Sequence, residues 1–246
     1  FTKEISIFGL PKEFMDRSNN PGQVSFAPRH IATLPNLGEV DIFRSLQFLP
    51  GVQLGSGETS ELYIRGGSPD QNLVLLDWMP IYQTGHMFGF ISGISANAIK
   101  DIQVYKGSIP TRYGGKVSSV IDISSKTGNI NNVRGAIYGN LMSQGILTEI
   151  PVLKRGSYVI NIRNFNPSNG YSKLYNAIQD YVTGNDQFNL LNESASKENS
   201  QNTYYDTWSS YEDVVGKISL LIHPRHRFTI THILSLIHIS EPTRPL

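Results

Sequence analysis

Hydrophobic residues follow one spacing before about residue 128 and another after it. Ahead of that point, Ile42, Leu46 and Leu49 recur at the spacing of a helix, with two acidic residues at its start. The Pro-Gly pair at 50–51 ends the pattern, because proline and glycine both interrupt helices. The sequence therefore predicts one short helix that ends before residue 50.

Short apolar runs with turn residues between them follow this helix. Residues 62–65, 73–76, 102–105 and 120–123 are each the length of a strand, and glycine clusters separate them. One helix mixed with short strands indicates a compact α+β domain of about 100 residues. We place this domain at residues 23–128, after a linker at 1–22 that continues from a missing upstream region.

Beyond residue 128 the strands become longer and two-faced. Residues 157–163, 213–222 and 228–231 alternate between apolar and polar side chains. A barrel wall with lipid outside and water inside requires this alternation, but a half-buried soluble sheet also shows it.

The connections between these strands are unequal in length. Short turns fall near 151–154 and 223–226, whereas a long polar stretch covers 165–207 and includes a candidate helix at 171–182. Alternating short and long connections are typical of outer-membrane barrels. We predict about four barrel strands in residues 129–233, with a long extracellular loop near 165–207.

Composition narrows the function classes further. The net charge of +1 gives no reason to expect a nucleic-acid partner, and the absence of cysteine excludes disulfides and thiolate metal sites. No apolar run approaches the roughly 20 residues of a membrane helix. Residues 234–246 resemble the translation of a sequencing adapter, so we expect them to be an artefact.

No catalytic or cofactor motif stands out. The Gly-Gly-Lys string at 114–116 is followed by Val117 where a phosphate loop needs Ser or Thr. The histidines within 223–232 lack the spacing of a zinc site, and the acidic side chains lie in separate turns. We expect no enzyme activity, no cofactor and no metal.

Five strings resemble the plug domain of TonB-dependent receptors of Gram-negative bacteria, and they occur in the family's order. They are residues 46–52, 62–67, 74–82, 99–107, and 112–115 followed by 120–126. Together they span roughly residues 33–127, and the string at 69–72 is most similar to Bacteroidota members. The barrel-like strands fit the expected continuation.

This resemblance implies an α+β plug domain followed by the start of a transmembrane antiparallel β-barrel, incomplete in this chain. The whole barrel would have about 22 strands. Such a protein binds a scarce nutrient outside the cell outer membrane and imports it to the periplasm. The inner-membrane transducer TonB supplies the energy through a box upstream of this chain. The partners implied are TonB, outer-membrane lipid and a nutrient whose identity stays open.

The resemblance also nominates residues that shape the plug and lock it in place: Arg65, Gly66, Gly67, Asp77, Lys106, Gly107, Arg112, Tyr113 and Gly114. The two arginines are candidates to pair with barrel carboxylates, as the family's plug arginines do, and Glu149 is one candidate partner. The alternative is that each arginine only solvates a turn.

A second group is predicted to form an exposed apex that faces the substrate: Tyr82, His86, Met87, Phe88 and Phe90. Their alternative role is packing against the barrel wall. Trp78 stands where the family usually has glycine after aspartate. Because a bulky residue resists the positive φ of a primed turn, either the turn type differs there or Trp78 contacts something exposed, and we favour a different turn type.

Two other function classes stay open from the sequence. A soluble extracellular carbohydrate-binding module would use 165–207 as its recognition loop and close 129–233 into a sandwich with both faces covered. An enzyme is the third option, but no acid or nucleophile can be nominated for it.

Overall fold

The computed structural model describes seven stretches of the chain. These are residues 16–17, 22–26, 40–55, 62–86, 91–140, 143–165 and 209–239. The candidate helix at 171–182, nearly all of the long loop, and Met87, Phe88 and Phe90 lie outside these stretches.

The predicted helix is present and short. Helix α1 spans Ile42–Ser45, and a 3-10 turn at Leu46–Phe48 continues it. Asp41 caps the helix, since its carboxylate accepts a hydrogen bond of 2.9 Å from the Arg44 amide. None of the helices in the described residues is long and apolar enough to cross a membrane.

Ten short strands belong to the first domain. They are β1 (Asp16–Arg17), β2 (Gln23–Phe26), β3 (Val52–Leu54), β4 (Leu62–Ile64), β5 (Asn72–Leu76), β6 (Met79–Pro80), β7 (Gly85–His86), β8 (Ile91–Ser92), β9 (Ile99–Lys106) and β10 (Ser119–Ser125). A six-stranded sheet has the order β1-β2-β9-β10-β5-β6, in which only β10 and β5 pair in parallel. Strands β3–β4 and β7–β8 form two separate hairpin pairs. Strand β1 lies within the region predicted as a linker.

The helix covers one face of the six-stranded sheet. Ile42, Phe43 and Leu46 are buried against strand residues such as Ile102 and Ile121. Burial of each such side chain contributes about 1.5–3 kcal/mol, so this layer is the main source of the domain's stability. The α+β architecture predicted for this domain is confirmed.

Five longer strands form a second sheet. They are β11 (Arg134–Gly139), β12 (Gln144–Val152), β13 (Gly156–Phe165), β14 (Ser209–His223) and β15 (His226–Ile239), paired antiparallel in sequence order. The sequence had indicated about four strands, and β11 is the additional one. Strand β15 runs into residues 234–239 and pairs there with β14, which does not test the prediction that 234–246 is an adapter artefact.

The second sheet turns its polar face toward the first domain. On β13, Ser157, Asn161 and Arg163 are buried on that face, whereas Ile160 and Ile162 point the other way. Ile137 on β11 is 85% exposed on the outward face. Among the described residues nothing covers this apolar face, and the sandwich that a soluble module would require is not found there.

Candidate functional site

The turn between β5 and β6 is the first contact between the domain and the second sheet. Asp77 and Trp78 have φ values of 47° and 72°, so both are left-handed and the turn is of type I′. The expectation of a different turn type is therefore wrong. The Trp78 ring stacks on Tyr113 with centroids 5.6 Å apart, and the Arg112 guanidinium lies 5.9 Å from the ring. These contacts offset the cost of about 1–2 kcal/mol of a left-handed residue.

The Asp77 carboxylate joins three elements at this turn. It accepts hydrogen bonds from the Ser125 amide at 3.1 Å, from Lys217 Nζ at 2.9 Å and from Thr231 Oγ1 at 2.9 Å. Ser125 ends β10, while Lys217 and Thr231 face each other on β14 and β15. The side chains of Asp77 and Lys217 are only 12% and 13% exposed, so water screens this ion pair weakly.

The surroundings of Asp77 keep it ionised. Burial by itself raises the pKa of this carboxyl, but the hydrogen bonds from Ser125 and Lys217 and the charge of Lys217 outweigh it. The net result is a pKa below the ordinary value of 3.8. The turn therefore presents a stable negative charge to the second sheet.

A second contact lies on the β7–β8 hairpin. His86 Nε2 is 2.9 and 3.0 Å from the two carboxylate oxygens of Asp213 on β14. Arg163 Nε donates to the same carboxylate at 3.0 Å, and Arg163 Nη2 donates to the Ser92 carbonyl at 2.7 Å. Ser235 Oγ adds a hydrogen bond of 2.6 Å from β15. Two strands of the second sheet, β13 and β14, thus contact both strands of one small hairpin.

Aromatic rings enclose this second contact. Tyr211 stacks on His86 with ring centroids 4.6 Å apart and on Phe165 at 5.5 Å. The Arg163 guanidinium lies 5.0 Å from the Tyr211 ring. These three aromatic side chains, Arg163 and Asp213 are all buried, so the hydrogen bonds among His86, Arg163 and Asp213 form away from solvent.

The two predicted locking arginines have other partners. Arg112 Nη2 donates to the hydroxyls of Tyr105 and Tyr113 at 3.0 and 3.2 Å, and cation–π contact holds it over Tyr113. Arg65 is exposed and lies over Gly107. Neither arginine pairs with a carboxylate in the described part of the chain, so their predicted pairing is not found there. Glu149, the candidate partner, accepts instead from the Asn129 amide at 3.0 Å.

Lys106 and Tyr113 have structural roles within the first domain. Lys106 Nζ donates to the Pro50 carbonyl at 2.7 Å. The pKa of Lys106 is lowered mainly by burial and to a smaller extent by repulsion from Arg65. Tyr113 donates to Asp122 at 2.6 Å; burial and this hydrogen bond raise the pKa of Tyr113 well above its ordinary value.

The predicted glycines divide into three kinds. Gly66 and Gly107 have φ values of 79° and 91°, which side chains adopt poorly. Gly67 approaches Ser118 so closely that an added Cβ would overlap its Oγ. Gly114 has open space and no left-handed φ, so nothing in the structure explains glycine at that position.

The predicted apex is split by the structure. Tyr82 is 89% exposed, as expected, but His86 is only 3% exposed and packs against the second sheet. The expectation that His86 is exposed is therefore wrong, because Asp213 and Tyr211 enclose its ring. The other three apex residues lie outside the described stretches.

Sequence reasoning did not assign a role to Arg163, Asp213 or Lys217. It placed them only on the polar faces of their strands. The sequence signal that could have identified them is a charged residue in the middle of each of two neighbouring strands. Among the described residues, no group of His, Asp and Glu side chains could hold a metal ion.

Comparisons with known proteins agree with this geometry. Residues 20–120 match the family model of the TonB-dependent Receptor Plug Domain. No curated protein matches the chain in sequence.

Solved structures extend the likeness to the second sheet. A mutant of the ferric enterobactin receptor PfeA from Pseudomonas aeruginosa aligns with 91% of this chain and 34% of its own, at 18% identity and a TM-score of 0.60. The copper transporter OprC aligns with 92% of this chain and 32% of its own, at 10% identity and a TM-score of 0.54. The outer membrane transporter YddB from Escherichia coli aligns with 90% of this chain and 34% of its own, at 13% identity and a TM-score of 0.52.

The chain thus spans about a third of the length of each of these proteins. Within that third, the family match covers the first domain, and the structural matches also include the antiparallel strands that follow it. Residues 20–120 therefore match the plug domain of the TonB-dependent receptors, and the described residues have the fold of such a domain packed against an unclosed part of a receptor barrel.

Proposed function

We propose that this chain is part of an outer-membrane active transporter whose plug domain closes the barrel until TonB displaces it. The substrate is a scarce nutrient taken up from outside the cell and delivered to the periplasm. The proposal includes the cell outer membrane as the location and TonB as the energy-coupling partner. The nutrient itself is left open, because the solved relatives named above differ in what they carry.

One observation carries this proposal. The second sheet buries polar and charged side chains such as Arg163 and Asp213 against the plug domain, while apolar residues such as Ile137 point outward and are uncovered in the described part of the chain. A soluble sheet would bury its apolar face instead, since apolar burial is the main driving force for folding in water. An apolar outer face with a filled, polar interior suits a barrel in lipid.

The plug's resting position is proposed to depend on the two contacts described above. Asp77 meets Lys217 near the middle of β14, and His86 meets Asp213 four residues away on the same face of that strand. Both contacts are largely shielded from water, which strengthens them. Neither is covalent, so a mechanical pull on the plug can break them. Tyr82, which is exposed on the plug, is proposed to face the substrate.

The test uses the full-length receptor in a Gram-negative host that lacks its own transporters for a panel of scarce nutrients. We expect the receptor in the outer-membrane fraction, and we expect it to support growth on at least one limiting nutrient. That growth should disappear in an otherwise identical strain without TonB. Growth that is equal with and without TonB, or a receptor found in the soluble fraction, would refute the proposal.

A further inference from the structure

We propose that Asp213 is a positioning residue that sets the β7–β8 hairpin of the plug, with Arg163 holding its carboxylate in place. This inference rests on the proposed function, in which the plug's resting conformation matters. It differs from the arginine locks implied by the family resemblance, because here both members of the ion pair belong to the barrel. The plug contributes a histidine and a backbone carbonyl instead.

The ion pair between Arg163 and Asp213 is preorganised by the barrel strands. Arg163 and Asp213 face each other directly on β13 and β14, so the pairing of these strands already brings their side chains together. Arg163 is fully buried and its guanidinium also lies over Tyr211. A buried guanidinium with this many contacts loses little freedom when it binds a further group.

Each partner of the ion pair contacts a different strand of the hairpin. Asp213 accepts a hydrogen bond from His86 Nε2 on β7, and Arg163 donates to the Ser92 carbonyl on β8. Among the described residues, the hairpin consists of two residue pairs, Gly85↔Ser92 and His86↔Ile91. Such a short isolated hairpin is not stable by itself, so its conformation depends on these outside contacts.

Apart from its hydrogen bond to Asp213, the His86 ring has few contacts that fix its orientation. Its Nε2 must donate, because a carboxylate only accepts, and its Nδ1 has no hydrogen-bond partner among the described residues. Stacking on Tyr211 fixes the plane of the ring, but a stack does not select one direction within that plane. The hydrogen bond to Asp213 is the contact that fixes the ring's direction and with it the hairpin.

The experiment measures amide hydrogen exchange in the full-length receptor in lipid vesicles, with no substrate and no TonB. The reporter is the Gly93 amide, which donates to the Thr84 carbonyl at 2.8 Å and closes the hairpin. The reference is β10, in the centre of the plug sheet. Local opening of the hairpin accelerates exchange at the reporter but not at the reference.

The main variant is His86→Phe, which retains a ring against Tyr211 and leaves the Arg163–Asp213 pair intact inside the barrel. We expect exchange at Gly93 to become about tenfold faster, with β10 unchanged, because one charge-assisted hydrogen bond is lost. Asp213→Ala, which removes both acceptor oxygens, should have at least the same effect. The double variant should be no faster than Asp213→Ala alone, since both changes remove the same hydrogen bond.

The matched control is Glu212→Gln, which removes an acid one position away on the exposed face of the same strand. It should exchange like the native receptor. The proposal is overturned if His86→Phe exchanges like the native receptor, if it accelerates the hairpin and β10 equally, or if the effects of the two single variants add in the double variant. Because no transport is measured, these outcomes are independent of whether the transport test succeeds.

Discussion

Replacement of Lys217 by methionine is expected to weaken the seating of the plug. Methionine is an apolar side chain of similar length, so the change removes the ammonium and little else. Asp77 would keep its donors from Ser125 and Thr231 but lose the cation that stands 2.9 Å away. A largely buried carboxylate would then lack its counter-charge.

The magnitude follows from the geometry of the pair. A hydrogen bond to a charged group contributes about 1.5–3 kcal/mol, and both side chains are mostly shielded from water. With a loss of about 2 kcal/mol and a urea slope of about 2 kcal/mol/M, the midpoint of plug release falls by about 1 M urea. The assay measures the ion conductance of the full-length receptor in a planar bilayer as urea is added. The midpoint is the urea concentration at which the conductance is half of its maximum.

Lys100→Met is the matched control, because Lys100 is exposed on β9 of the plug sheet. Its midpoint should equal that of the native receptor. An unchanged midpoint in Lys217→Met would refute the reasoning, since it would mean that the cost of desolvating the pair cancels its attraction.

The same contact has a predictable dependence on pH. The pKa of Asp77 is depressed in the folded protein, so its contribution to stability is complete above the ordinary value of 3.8 and is lost as the pH falls through the folded value. The difference in urea midpoint between the native receptor and Asp77→Asn should therefore be constant near neutral pH and shrink below about pH 4. A difference that grows on acidification would contradict this assignment.

Two further predictions concern the barrel strands. Gly156→Ala should destabilise the receptor by about 1–3 kcal/mol in urea unfolding, because the new Cβ would lie 2.2 Å from the backbone oxygen of Ser219. Gly216→Ala should destabilise the receptor less, since the atoms nearest to its new Cβ belong to the movable ring of His232. Ile160→Lys, on the outward face of β13, should cost about 2–4 kcal/mol in lipid vesicles, and a cost near zero would mean that this face meets water.

Much of the fold could be predicted from local patterns. The helix at 42–45 is encoded by apolar spacing and by an aspartate cap, both of which act within a few residues. The two-faced strands were found because the buried polar face and the outward apolar face alternate at every residue. Strand β11 was missed because its three apolar residues are adjacent and glycines flank them, which leaves almost no alternation to detect.

The site was harder to predict, because its partners are distant in sequence. The turn residue Asp77 was nominated from the family string, but its partner Lys217 lies 140 positions later. The resemblance nominated Arg65 and Arg112 as candidates to pair with barrel carboxylates, a pairing that is not found in the described part of the chain. Here local aromatic and glycine neighbours hold both arginines, and the contacts to the barrel come from Asp77 and His86 instead.

The left-handed tryptophan at the β5–β6 turn has an evolutionary consequence. Its backbone is tolerated because Tyr113 and Arg112 hold the ring, so the three residues constrain the order in which substitutions can accumulate. A lineage that lost either neighbour first would carry the backbone strain with nothing to offset it. Descendants should therefore acquire glycine at position 78 before, and not after, they diverge at 112 and 113.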